Sequence, residues 1–196
     1  MLTKTTLLIV IVAVLIFLGW LLVRTRSKSQ GRASQAVPEP VQAIKDLRNQ
    51  LLTSPPETLG FSKAGSDSEV WGILMETGYP EALATLVSLR DGNASLYLGH
   101  GGGVIGGVGH ENVRRAAMGF VKESAKYLIR MKSTTSFPYP VVGRVKFYVL
   151  TFNGVVTAEA DKNELGEGKH GLSPLFYAGH EVITQLRQIS EQPKKG

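Results

Sequence analysis

The sequence predicts an α+β protein: a single N-terminal transmembrane helix, then a two-layer domain whose five-stranded antiparallel sheet, in the order β-β-β-α-β-β-α, has its helices packed on one face. Three observations lead there. Thr5 to Val23 form an uninterrupted apolar run, followed at once by Arg24, Arg26, Lys28 and Arg32. Between Glu69 and Leu98, short segments of period-two alternation are separated by turn signals too brief to hold a crossover. Two later stretches, 111–132 and 173–190, repeat apolar residues at helical spacing. The predicted organisation is an anchor at 1–23, a basic then Pro/Ser-rich linker at 24–60, the α/β domain at 61–190 and a tail at 191–196.

The apolar run would form a helix of about 28 Å, the thickness of a bilayer's hydrocarbon core. A cleavable signal peptide is the rival reading, but Trp20, Leu21, Leu22 and Val23 stand where small residues would be needed. The chain has no cysteine, so it has no lipoprotein acylation site, disulfide or thiolate metal site. Four cations follow the run and Lys4 alone precedes it. The expected topology is therefore single-pass, with the N-terminus outside and the C-terminal domain cytoplasmic, in contact with the lipid bilayer through residues 5–23.

A net charge of +6 raises the question of nucleic acid. Residues 1–35 carry five basic residues and no acidic one, which leaves 17 basic against 16 acidic residues in 36–196. A nearly neutral domain gives no reason to expect a nucleic-acid partner.

Within the linker, Val41, Ile44, Leu47 and Leu51 recur at helical spacing, and Thr53-Ser54-Pro55-Pro56 ends the segment. A helix at 41–52 is too short to stand alone and must dock on something. The first strand is expected at 69–76 with Trp71, Ile73 and Met75 on one face; Thr77-Gly78-Tyr79-Pro80 turns the chain into a second, where Leu83, Thr85, Val87 and Leu89 alternate. Asp91-Gly92-Asn93 leads to a third at 95–98. The helix at 111–132 has an apolar stripe of Val113, Ala117, Phe120, Val121, Leu128 and Ile129, opposed by Arg115, Lys122, Lys126 and Arg130. Ser133 to Pro140 reads as a loop. A hairpin follows, with a two-residue turn at Asn153-Gly154 pairing Phe152 with Val155, Thr151 with Val156 and Leu150 with Thr157. Ser173-Pro174 reads as a cap followed by a first-turn proline, and Leu175, Gly179, Val182, Leu186 and Ile189 give the last helix its buried face. The sheet's second face needs cover, from the 41–52 helix or from a second copy of the protein.

In outline this order resembles the small two-layer modules of the profilin and roadblock kind, with a different number of strands before the first long helix. Such a resemblance implies a fold and not an activity.

The segment with most chemical potential is Gly99 to Glu111, with seven glycines in its first eleven residues. Glycines allow close backbone approach, and a helix start offers free N–H groups to an anion. The candidate ligand-binding residues are Gly101, Gly102, Gly103, Gly106, Gly107, His110 and Arg114. No Gly-Lys-Ser/Thr follows, so this is not a Walker loop. The structural alternative is a sharp turn under the sheet edge, with Val104, Ile105 and Val108 tucked into the core. All four histidines, His100, His110, His170 and His180, could converge with Glu111 on a metal or proton-transfer site if the two long helices begin at the same sheet edge; His100, His110 and His170 are the nearest approach to metal ligands, though no pair has the spacing that puts two ligands on one helical face. Asp161, Asn163, Glu164 and Glu167 lack the spacing of a calcium loop. No catalytic constellation, metal site or cofactor is expected. The leading expectation is a membrane-anchored protein-interaction or assembly module working through a protein partner or homo-oligomer; the alternative is a small-ligand or anion sensor, or an enzyme, with its site at 99–111.

Overall fold

The computed structural model describes residues 35–63, 69–106 and 109–191. The predicted anchor, the basic flank and the extreme C-terminus lie outside the described residues. Among the described residues no helix is long and apolar enough to cross a membrane. The compact unit runs from Ala36.

The fold is α+β and its sheet is antiparallel, with seven strands rather than five: β1 Val70–Gly78, β2 Leu83–Leu89, β3 Ala94–Leu98, β4 Gly103–Val104, β5 Lys132–Thr134, β6 Arg144–Thr151 and β7 Gly154–Asp161, in the spatial order β4-β3-β2-β1-β6-β7-β5. The two additional strands have two and three residues and close the two edges. Pieces so short carry no alternation to read, and their pairing is dictated by the neighbour already in place. The helices are α1 Gln42–Thr53, α2 Glu111–Ser124, α3 Lys162–Gly166 and α4 Ser173–Ser190. Asp161 caps α3 by accepting from the N–H groups of Asn163 and Glu164, so the expected acidic loop is a capped turn of helix.

β1 is the central strand, and all nine of its residues are buried because both faces of the sheet are covered. On one face α2 and α4 pack over Ile73, Met75, Leu86, Phe147 and Val149. On the other, Leu52 of α1 and Phe61 pack with Trp71, Leu74, Val87, Tyr148 and Leu150. Trp71 is thus on the opposite face from Ile73 and Met75. The β1–β6 register shifts between Val70 and Gly72, a bulge that places two consecutive residues on the α1 side. Phe61 stacks on the displaced indole with ring centroids 5.2 Å apart.

The β6–β7 hairpin pairs Thr151 with Gly154, Leu150 with Val155 and Val149 with Val156. Its turn is therefore Phe152-Asn153, one residue earlier than expected. A type I′ turn at Asn153-Gly154 needs positive φ at Asn153, and no non-glycine residue adopts it among the described residues. The partner of each residue moves by two, so every side chain keeps its expected face.

The helix expected over 111–132 is α only to Ser124 and continues as a 3-10 helix from Ala125 to Arg130. At about 100° per residue Tyr127 lies within about 40° of Val113 and Ile129 about 160° from it, so Tyr127 is buried and Ile129, expected on the stripe, is 94% exposed. In α4 the expected inner face holds, with Leu175, Gly179, Val182 and Leu186 buried. Ser173 is not its cap: the helix begins at Ser173, whose hydroxyl accepts from the His170 N–H at 3.3 Å.

α1 buries Ile44, Arg48 and Leu52, a stripe rotated from the expected Ile44, Leu47, Leu51, and Leu47 is 42% exposed. The cause is a charge pair. Arg48 donates from Nε to Glu76 Oε1 at 2.6 Å and from a terminal nitrogen to Oε2 at 2.9 Å, with Glu76 wholly buried in β1. Thr85 adds a hydrogen bond to the same carboxylate, and Arg48 also donates to the Phe137 carbonyl. The guanidinium lies 4.4 Å from the Tyr139 ring centroid and 5.4 Å from that of Tyr148. Burial pulls the Arg48 pKa down, but the hydrogen bond and charge of Glu76 outweigh it and hold it above its ordinary value.

Breaking one side of this pair leaves the other charge buried and alone. Arg48→Met is expected to cost about 3–5 kcal/mol, a fall in melting temperature of at least about 6 °C for a unit of this size. Arg48→Met combined with Glu76→Leu is expected to recover most of that loss, as measured by thermal denaturation of both variants beside the parent.

Candidate functional site

The glycine-rich segment is two different structures joined end to end. Gly99 donates to the Leu83 carbonyl at 2.7 Å and accepts from the Val41 N–H at 2.9 Å, and Gly101 donates to Leu98, closing the β3–β4 hairpin. At Gly103, with φ +142°, an added Cβ would stand 2.0 Å from the Leu96 carbonyl oxygen. That glycine is required by close backbone approach at the sheet edge. Gly101, Gly102 and Gly106 also have positive φ, but a Cβ there would meet nothing within 4 Å. They turn in open space. Gly107 lies outside the described residues, as does Val108. Val104 packs partly against the core, whereas Ile105 is 72% exposed and is not the tucked anchor expected.

His110 flanks the start of α2, exposed and without a capping hydrogen bond from its side chain. Arg114 covers the β2–β3 turn: its Cγ would lie 2.3 Å from a Cβ on Gly92. It pairs with Glu111 at 3.6 Å. Gly92 and Gly101 stand at opposite ends of β3, so Arg114 does not join the open glycines around a common point. The candidate residues thus divide into an open turn (Gly101, Gly102, Gly106), a structural glycine (Gly103), a helix start (His110) and a cation packed elsewhere (Arg114).

The histidines do not converge. α2 and α4 run in opposite directions, and the first turn of α2 shares a shallow cleft with Gln185, Gln188 and Ile189 near the end of α4. His170 is used locally, its Nδ1 accepting from the Leu172 N–H at 3.1 Å. His100 is exposed at the hairpin turn. Among the described residues no three His, Asp or Glu side chains gather into a group that could hold a metal ion.

Two clefts were not anticipated. Beside α1, Leu47, Leu51, Leu59, Val87, Leu89 and Tyr97 line a largely apolar cleft of about 200 Å³. It borders the β3 edge, where β4 pairs only Leu96 and Tyr97 and leaves Ala94 without a strand partner on that side, the backbone groups of Ser95 being turned to β2. Leu47 signals this cleft only once the helix is known to be rotated. The second cleft, about 270 Å³, lies among Tyr79, Lys162, Glu167, Phe176 and His180. The His180 Nε2 is buried there with no hydrogen-bond partner, and the Phe176 ring lies 4.3 Å from the imidazole, centroid to centroid. Burial and, secondarily, the Lys162 charge push the His180 pKa below its ordinary value, and burial beside Glu81 raises that of Tyr79. The cleft thus brings together two titratable groups, His180 and Tyr79, whose pKa values are displaced in opposite directions.

No family model, curated protein or solved structure matches this chain.

Two outcomes follow from this geometry. In chemical denaturation, Gly102→Ala should cost about 1–2 kcal/mol for its left-handed backbone alone, whereas Gly103→Ala should cost more, because it must also part β4 from Leu96. For His180, the folded pKa lies below the unfolded value of about 6.5, so the unfolded chain takes up the proton first. The histidine's contribution to stability is present above pH 6.5 and is lost as pH falls from there through the folded pKa. Melting curves of wild type and His180→Gln should diverge least below that window and most above it; parallel curves across pH would refute the assignment.

Proposed function

We propose that this protein is a membrane-tethered interaction or assembly module, held by residues 5–23 with its α/β domain on the cytoplasmic side, and that it takes an extended segment of a partner protein. The observation that carries this reading is the apolar cleft beside α1 next to an unpaired position on the strand edge. A main-chain hydrogen bond to Ala94 would add to affinity, and apolar side chains entering between Leu47, Leu51 and Tyr97 would supply selection.

The test is a photocrosslinker at position 47 of the full chain in native membranes. A discrete adduct that disappears with Leu51→Asp supports the reading, and differently tagged copies tell a second copy of this chain from another protein. No adduct would sink it. Fusions of alkaline phosphatase and of a fluorescent protein to the C-terminus test the orientation: fluorescence without phosphatase activity is expected, and phosphatase activity would overturn it.

A second reading, a small-anion sensor or enzyme at 99–111, draws on the open space around Gly101, Gly102 and Gly106. It requires that a phosphorylated metabolite or nucleotide raise the melting temperature, and that Gly102→Val or His110→Ala remove the shift.

A further inference from the structure

The near neutrality of residues 36–196 conceals a strong asymmetry. Residues 111–132, which are α2 and its 3-10 extension into β5, contain six cations, Arg114, Arg115, Lys122, Lys126, Arg130 and Lys132, against two acids, Glu111 and Glu123. Taking these from 17 basic and 16 acidic residues leaves 11 against 14 for the rest of the domain, so this segment is +4 and the remainder −3. All six cations are exposed. Lys126 is paired with Glu123 at 2.5 Å, whereas Lys122 and Arg130 have no acidic partner within 4 Å among the described residues; Lys132, opposite Thr157 and through it Tyr148, lies on the α1 side of the sheet. On the α2 wheel Arg115, Met118 and Lys122 fall on one side, opposite the buried Val113, Ala117 and Phe120. Met118 is 43% and Ile129 94% exposed within this row.

We infer that the outer face of α2 and its 3-10 extension is a docking surface for an anionic lipid leaflet. The charge complementarity is direct: unpaired Lys and Arg on a convex helical face meet headgroup phosphates and carboxylates. The exposed Met118 and Ile129 enter the headgroup boundary between them, as apolar residues of an interfacial helix do. A nucleic-acid partner fits less well, since no aromatic side chain stands in this row to stack on bases and Ile129 would face a hydrated phosphate backbone. The inference rests on the tethered reading only for proximity to a leaflet; the surface itself is independent of it.

The absence of cysteine allows a single reporter. The full chain with Ile129→Cys, carrying an environment-sensitive fluorophore, is reconstituted into vesicles of phosphatidylcholine alone or mixed with phosphatidylserine; Thr58→Cys, on the α1 side, is the control. Blue-shifted emission is expected at position 129 in the anionic vesicles only, reversed by salt, with position 58 unchanged. Each neutralised cation should lower the docked-to-undocked ratio about fivefold, so Arg115→Gln, Lys122→Gln and Arg130→Gln together should lower it about a hundredfold. Aqueous emission in both vesicles, equal shifts in both, or a shift produced by RNA and not by lipid would each overturn the proposal. An alkaline carbonate wash of the same vesicles reports on the tether separately: retention without a shift refutes docking alone, and release with a shift refutes the anchor alone.

Discussion

The buried Arg48–Glu76 pair is the constraint from which the rest of the architecture follows. Glu76 sits in the middle strand of a seven-stranded sheet with none of its surface exposed. A carboxylate there is costly to ionise unless a cation comes to it. Only an element that crosses that face can bring one, and α1 does. Once Arg48 is bidentate on Glu76 the helix has a fixed rotation and a fixed height. Ile44 and Leu52 then face the sheet, and Leu47 is left at the rim of a cleft. The Ser136–Pro140 segment is drawn in through the Phe137 carbonyl, and Phe137 meets Tyr148 edge-on with centroids 5.7 Å apart. Such pairs are a poor source of net stability against an apolar replacement. Their contribution here is positional, since an all-leucine contact between one short helix and a flat sheet would accept several rotations.

This is also why the second face was the least legible part of the sequence. Arg48 reads as solvent-facing by residue type, and Glu76 reads as the end of a strand rather than its centre. A charge that is buried because its partner lies 28 positions away leaves no local trace. Trp71 was misplaced for a related reason: strict alternation assigns faces correctly until a bulge inserts one residue, and only the packing of Phe61 on the indole reveals which side the extra residue takes. By contrast, the long elements with strong periodicity came through. The inner face of α4 was legible because four turns repeat one pattern, and the faces of β6 and β7 were legible because even a misread turn displaced the register by two, which conserves parity.

The candidate site behaved differently. Composition marks Gly99 to Gly109 as one motif, but glycine is used there for unrelated reasons, steric at Gly103 and conformational at Gly101, Gly102 and Gly106. Sequence cannot separate the two, because both demand the same residue. The histidines looked convergent only under the assumption that α2 and α4 start at one sheet edge. Connections through β5, β6, β7 and α3 reverse α4, which sends His110 and His180 to different ends of the helical layer. The cationic face was visible as the polar side of a helical wheel; what hid its character was Ile129, assigned to the core although a uniform helical period puts it about 160° from Val113.

The charge arithmetic gives the two ends of the molecule a common logic. Residues 1–35 carry +5 and residues 111–132 carry +4, together more than the net +6, the balance being the −3 carried by the rest. A domain so divided has an electrical orientation: an anionic plane attracts the α2 face and repels the others. At physiological ionic strength that field decays over about 8 Å, so a freely diffusing domain would rarely sample it. In the tethered arrangement we propose, confinement near the surface would replace a bimolecular encounter by an intramolecular one. A weakly attractive face would then suffice to orient the domain. With α2 turned to the leaflet, the apolar cleft beside α1, on the other side of the sheet, would be turned toward the aqueous phase, where a partner's extended segment could reach it.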